Sequence, residues 1–190
     1  ASESAKEALR GELYLNDPLP VQYIKWLGDA LHGDFGDSFI TKRAVSADVQ
    51  QFLPDTLELV LVSGIFIVIG TFVLGLLAAR YKNTWVDGLI RILSYIGIAL
   101  PAFVVGVLLL LLFGYKFQVL PVLGRLSTGV EAPPTITGLY IIDGILTGHF
   151  SVAWDAFLHV LLPALAPAVG PIVQDARVLR SSLVDNSSRE

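Results

Sequence analysis

Three long runs without a charged residue constrain this chain more than anything else in it. Twenty-one residues separate Glu58 from Arg80, 24 separate Arg91 from Lys116, and 19 separate Asp155 from Asp175, all of them uncharged. A hydrocarbon core of about 30 Å takes roughly 20 helical residues to cross, so each run is long enough. One charge at mid-span costs about 2.5–3.5 kcal/mol on insertion scales, so three clean runs in 190 residues are not an accident of composition. Charged residues make up 16% of the chain against about 25% in soluble domains. The fold class read from this is an all-α membrane protein. It has three transmembrane helices, with short amphipathic helices outside the membrane.

Lys and Arg set the orientation. The link 80–91 carries Arg80, Lys82 and Arg91 against one acid, Asp87. The longer segment from Lys116 to Asp155 carries only Lys116 and Arg125, and the first 58 residues hold five bases against ten acids. Basic residues concentrate in short cytoplasmic loops, so 80–91 is expected in the cytoplasm and both other regions outside. The expected layout is 1–55 extracytoplasmic, 56–79 a span, 80–91 a cytoplasmic link and 92–115 a span. It continues with 116–155 as an extracytoplasmic loop, 156–174 as a Pro-rich span and 175–190 returning to the cytoplasm. An outside start with neither an initiating methionine nor a leader predicts an internal piece of a larger membrane subunit, with an earlier span before Ala1.

Local signals refine this layout. Asp17-Pro18 reads as a helix start with Asp as N-cap, and Gly33 as its stop. Val45, Val49, Phe52 and Leu53 suggest a second short helix ending at Pro54. Asp55-Thr56-Leu57-Glu58 resembles a capping box at the mouth of the first span. These outer helices suit a membrane surface or a partner subunit equally. Trp85, Tyr115, Phe117 and Trp154 fit the interfacial aromatic belt. Thr71, Gly75 and Ala79 in the first span, and Ala102 and Gly106 in the second, are small-residue stripes that let helices approach. Pro101 is expected to break the second span.

Chemistry is sparse. A net charge of −4 argues against nucleic acid. The absence of cysteine removes thiolate metal sites and thiol nucleophiles. His32, His149 and His159 match no zinc spacing, Gly33-Asp34-Phe35-Gly36 lacks the features of a phosphate loop, and no serine sits in a nucleophile elbow. No catalytic, cofactor or metal site is expected. His159 is the one ionisable candidate inside a span. It lies about 6 Å deeper than Asp155, so it reads as a polar residue reaching headgroups or a neighbouring helix rather than as a proton relay. Pro163, Pro167 and Pro171 recur every fourth residue, and each deprives the carbonyl four residues earlier of its donor. Lipid cannot satisfy such carbonyls, so this face is expected to meet protein or water, as a pathway lining or as a kinked packing helix.

Taken in order, several short motifs resemble the permease family of dipeptide, oligopeptide and nickel ABC importers. They include Pro18-Leu19-Pro20-Val21-Gln22-Tyr23, Gly33-Asp34-Phe35-Gly36-Asp37-Ser38-Phe39, Leu53-Pro54-Asp55-Thr56-Leu57 and Trp85-x-Asp87. Leu100-Pro101-x-Phe103-x-x-Gly106, Leu120-Pro121 and Thr137-Gly138-Leu139-Tyr140 follow, then His159-x-x-Leu162-Pro163-Ala164, Ala176-Arg177 and Arg180-Ser181-Ser182. The resemblance implies a non-catalytic six-span subunit in the bacterial plasma membrane. It also implies a second permease subunit, two cytoplasmic ATPase subunits that bind the ATP, an external solute-binding protein and a peptide substrate. Pro101, Pro163, Pro167 and Pro171 become candidate pathway or kink residues. Arg177, Arg180, Arg189 and Glu190 become the approach to the ATPase-coupling helix. Ala99 departs from the small polar residue expected there. A gradient-driven carrier or channel subunit is the alternative, and a membrane scaffold without transport activity is the third reading.

Overall fold

The computed structural model describes residues 3–187 and is helical almost throughout. Arg189 and Glu190 lie outside the described residues. Seven α-helices follow in order: α1 Glu3–Glu12, α2 Leu19–Leu31, α3 Val45–Arg80, α4 Trp85–Ala99, α5 Ala102–Leu109, α6 Tyr140–Leu146 and α7 Phe150–Ser187. A π-helical stretch, Leu110–Lys116, continues α5. The chain divides into two compact units, Ala1–Leu53 and Pro54–Glu190.

In the first unit α2 buries none of its residues. Leu19 and Leu31 are nearly four-fifths exposed, and Ile24 and Trp26 are more than half exposed. Asp17 does not cap α2 as expected. Pro18 flanks the helix without a side-chain cap, and the Asp17 carboxylate instead accepts the Lys25 ammonium at 2.7 Å. A long flexible cation two turns away outcompetes the local backbone donors. Gly33 does end the helix, at φ +86°, a left-handed conformation that glycine adopts without strain.

The expected short helix ending at Pro54 and the capping box after it are both overturned. One helix runs from Val45 to Arg80 with Pro54 inside it. Its ring removes one N–H, and the residues after it take their donors and acceptors from the turn before. Asp55–Glu58 therefore has no helix start to cap. Pro54 packs on Gly138 instead. A Cβ added at Gly138 would come within 3.0 Å of the proline ring, and its φ of +83° is itself a glycine conformation.

The second unit is organised by α7. Its buried residues are mostly alanines: Ala153, Ala156, Ala164, Ala166, Ala168 and Ala176, with Leu162 and Val173. Small side chains let three neighbours approach one helix closely. Along α3, Ser63 donates its hydroxyl to the Ala164 carbonyl at 3.0 Å. Gly70 faces Ile172 and Gly75 faces Leu179 at distances that leave no room for a Cβ. Both series of numbers rise together, so α3 and α7 run parallel. The small-residue stripes are only partly as expected: Gly75 and Gly106 are contact points, whereas Ala102 is exposed and Gly70, Gly97 and Ala78 do the rest.

Among the described residues two helices, α3 and α7, are long and apolar enough to cross a membrane singly; α4 and the α5 stretch pass only as a pair, bent by 108° at Leu100-Pro101. Pro101 thus breaks the segment as expected, and the break is larger than a kink. The contacts still step steadily down α7. Asp87 meets Arg180, Gly97 meets Val173 and Val169, Gly106 meets Ala166, and Ser127 meets Asp155. From Arg180 to Ala166, the last of these contacts made by the bent pair itself, is about 21 Å of helix at 1.5 Å per residue. The pair therefore runs alongside α7 in the opposite direction over that length, and the loop after it carries the chain on to Asp155.

Candidate functional site

Ionisable side chains gather at the two ends of this bundle, with the proline stripe between them. At the end where α3 finishes, Asp87 in the first turn of α4 is 1% exposed. Arg180 of α7 holds it as a two-pronged fork, Nε to Oδ1 at 2.8 Å and Nη2 to Oδ2 at 2.6 Å. Arg91, one turn along α4, donates to Oδ2 at 3.1 Å, and the Asn83 N–H adds a bond at 3.2 Å. Paired, bidentate donors are what allow a carboxylate to be buried there. Arg180 therefore ties α7 to α4, while Arg177 remains exposed.

At the opposite end the loop after α5 folds around carboxylates. Arg125 pairs with Asp55 at 2.5 Å and with Glu58 at 2.7 Å, donates to the Gly138 carbonyl at 3.2 Å, and lies 3.6 Å from the centre of the Tyr140 ring. Glu58 is 6% exposed, and its other oxygen accepts the Ile141 N–H at 2.7 Å. Asp155 accepts both the N–H and the hydroxyl of Ser127 at 2.7 Å. Asp143 is 1% exposed and gathers the N–H groups of Ile136, Thr137 and Gly138 with the Thr137 hydroxyl, at 2.7–3.1 Å. Burial pushes the Asp143 carboxyl up. The Thr137 hydroxyl and the three N–H donors outweigh that and hold it below the usual carboxylate range.

His159 is buried beside this network, where it shares a cavity with residues of the neighbouring α3. Its Nδ1 turns back onto the Asp155 carbonyl of its own helix at 2.8 Å. With Asp55, Glu58, Arg125 and Pro163 it lines a cavity of about 250 Å³.

Pro163, Pro167 and Pro171 are all exposed on α7, whereas Ala164 and Ala168, each next to one of them in sequence, are completely buried. The helix stays continuous through all three. Pro163 borders the cavity shared with Asp55, Glu58 and Arg125, and along the stripe the carbonyls of His159, Pro163 and Pro167 are deprived of helical donors. Among the described residues no group of three or more His, Asp or Glu side chains is placed to hold a metal ion. The belt residues Trp85, Tyr115, Phe117 and Trp154 are all more than half exposed.

In the sequence Arg125, Asp143 and Asp155 register only as charges, and Glu58 only as part of a capping box. Their partners lie 67 and 83 residues away for Glu58 and 28 for Asp155, with nothing local to mark them. The one available signal was position: an acid set at the very edge of an apolar run has to be paired.

Residues 47–190 match the family described as the inner membrane component of binding-protein-dependent transport systems. The chain belongs to that family. It is 36% identical over its whole length to the probable D,D-dipeptide transport system permease protein DdpB of Escherichia coli K12, covering 56% of that protein. Over 97% of its length it is 31% identical to the dipeptide permease protein DppB of Alkalihalophilus pseudofirmus, and over the same share 32% identical to the oligopeptide permease protein AppB of Bacillus subtilis 168. It covers 55% and 52% of those two. The chain thus spans about half the length of the curated relatives it matches. The resemblance noted in the sequence is borne out, and with it the all-helical membrane architecture of an inner-membrane component.

Proposed function

We propose that this chain works within the membrane subunit of an ATP-driven importer of di- or oligopeptides. It lines the translocation pathway and contributes no catalytic group, cofactor or metal site of its own. ATP is bound and hydrolysed by two cytoplasmic ATPase subunits, a second permease subunit completes the pathway, and an external solute-binding protein delivers the peptide. The observation that carries this reading is the family match from residue 47 onward, joined to relatives whose names specify dipeptide and oligopeptide transport. Excess basic charge at 80–91 and beyond Asp175 supports a cytoplasmic placement of the Asp87–Arg180 end and an extracytoplasmic placement of the loop end. The Glu58 and Asp87 carboxylates near the spans are taken up by Arg125 and Arg180, which leaves little for a gradient-driven proton relay. In proteoliposomes holding the complete transporter, uptake of a labelled dipeptide should require ATP on the ATPase side and no ion gradient. Uptake driven by a proton gradient alone would overturn the reading in favour of a carrier.

Within this proposal the outward proline stripe faces the second permease or the aqueous path, because freed carbonyls facing lipid would cost several kcal/mol each. Pro101 supplies the break in the opposing span. Arg177 and Arg180 lead toward the ATPase-coupling region, with Arg189 and Glu190 beyond them. Replacing Pro163, Pro167 and Pro171 by Ala should leave the complex assembled but abolish uptake. Undiminished uptake in the assembled triple variant would reduce the stripe to packing.

A further inference from the structure

The Asp87 end holds a cavity of about 230 Å³ between α4 and α7, walled by Ala78, Ile90 and Ala176 on its apolar side. Arg91, Arg177 and Arg180 also line it, with Asp87 as the one carboxylate. Three guanidinium groups against one acid leave a formal surplus of two positive charges. Asp87 cannot absorb that surplus. A carboxylate offers about four acceptor positions, and Asp87 already accepts two bonds from Arg180, one from Arg91 and one from Asn83. Each guanidinium carries five donors, of which these bonds use two on Arg180 and one on Arg91. Arg177 and Arg180 stand three residues apart on α7 and so share a face, and Arg91 opens onto the same space from α4.

We infer that this cavity binds the phosphate of an anionic phospholipid headgroup. The forked, planar donors of arginine match phosphate oxygens. The site also lies at headgroup depth, where apolar α3 ends at Arg80 and the exposed Tyr81 and Trp85 mark an interface. Its apolar wall continues into the exposed surface of the spans, with Tyr95 more than half exposed beside it, so acyl chains can lie where a free phosphate would leave the wall uncovered. Basic pockets between spanning helices favour anionic headgroups for these reasons. The inference holds whether or not the transported substrate is a peptide.

The test uses the full-length subunit in its assembled complex, purified with added phosphatidylglycerol or phosphatidylethanolamine and read by native mass spectrometry. Phosphatidylglycerol should be retained preferentially. The preference should fall roughly fivefold for each arginine removed in Arg91→Gln and Arg177→Gln, the effect of about one basic residue near an anionic surface. Arg180 stays native because it holds Asp87. The charge-keeping pair Arg91→Lys with Arg177→Lys should retain most of the preference, which separates loss of a site from loss of folding. Equal retention of the two lipids, or undiminished preference in the Gln variants, would overturn the inference. Displacement of the lipid by millimolar inorganic phosphate would also overturn it, assigning the arginines to a soluble anion. Gln variants that keep the lipid but shed a partner subunit would assign the cavity to a protein contact instead.

Discussion

The two ends of the second unit solve one problem in opposite ways. Each buries a carboxylate that an arginine from a distant part of the chain must satisfy. At the loop end one arginine, Arg125, serves two acids, Asp55 and Glu58, and spends its remaining contacts on the Gly138 carbonyl and the Tyr140 ring. That network is closed and leans acidic. At the other end one acid, Asp87, serves Arg180 and Arg91 with Arg177 beside them, so the network is open and leans basic. The difference teaches that the basic bias of one membrane face is more than a tally of loop charges. Here it is built around a buried anchor that fixes where the surplus charge stands.

Breaking the anchor should have the largest effect. Asp87→Ala strands the Arg180 guanidinium against α4, and removing one partner of a buried pair costs about 3–5 kcal/mol. The lower figure is expected, since Arg180 is 24% and Arg91 53% exposed. Thermal unfolding of the purified subunit should show the drop, and a wild-type transition would mean the fork contributes no stability. Arg125→Ala should cost less, about 2 kcal/mol, because Asp55 can turn to water while Glu58 cannot. Hydrogen exchange should then quicken in 117–149 and stay slow in α7. Quickening in α7 would show that the two ends are not separate. The double variant sharpens this point. Sites this far apart should add to within about 0.5 kcal/mol, and a larger deviation would reveal coupling along α7.

The smallest expected effect belongs to Asp143 alone. Its carboxyl titrates lower in the folded chain than in the unfolded one, so its stabilisation is complete above the unfolded carboxylate range and lost as pH falls through the folded value. Exchange protection of the amides in 136–146 should therefore hold from pH 7 to about 5 and decline below about 4. Asp143→Asn should flatten that profile at a lower level of protection. A profile unchanged by the substitution would remove Asp143 as the organiser of the loop.

Much of this architecture is legible because apolar runs are local signals. The apolar middles of α3 and α7 follow from uninterrupted hydrophobicity, though both helices run past the expected spans 56–79 and 156–174, and the break at Pro101 follows from a missing donor. What fails to read out is what depends on distant partners. Pro54 looks like a terminator, yet the helix passes through it and its ring packs on Gly138, 84 residues later. Asp17 looks like a cap, yet Lys25 takes its carboxylate. Arg180 reads as a soluble-side basic residue on the way to a partner, but two of its five donors are committed to Asp87, 93 residues earlier. Periodicity reveals which face of a helix is apolar. It does not reveal which acid on another helix a guanidinium will meet.

The central claim is that the acid-leaning and base-leaning ends lie on opposite faces of the membrane. These 190 residues hold no cysteine, so single cysteines introduced into them, in a full-length subunit otherwise cleared of cysteine, make this directly measurable. Lys82 and Glu131 are both exposed, one beside each end. With Lys82→Cys and Glu131→Cys introduced separately, a membrane-impermeant thiol reagent applied to intact spheroplasts should label position 131 and spare position 82 until the cells are lysed. Labelling of position 82 in intact spheroplasts with position 131 protected, or labelling of both, would contradict the account.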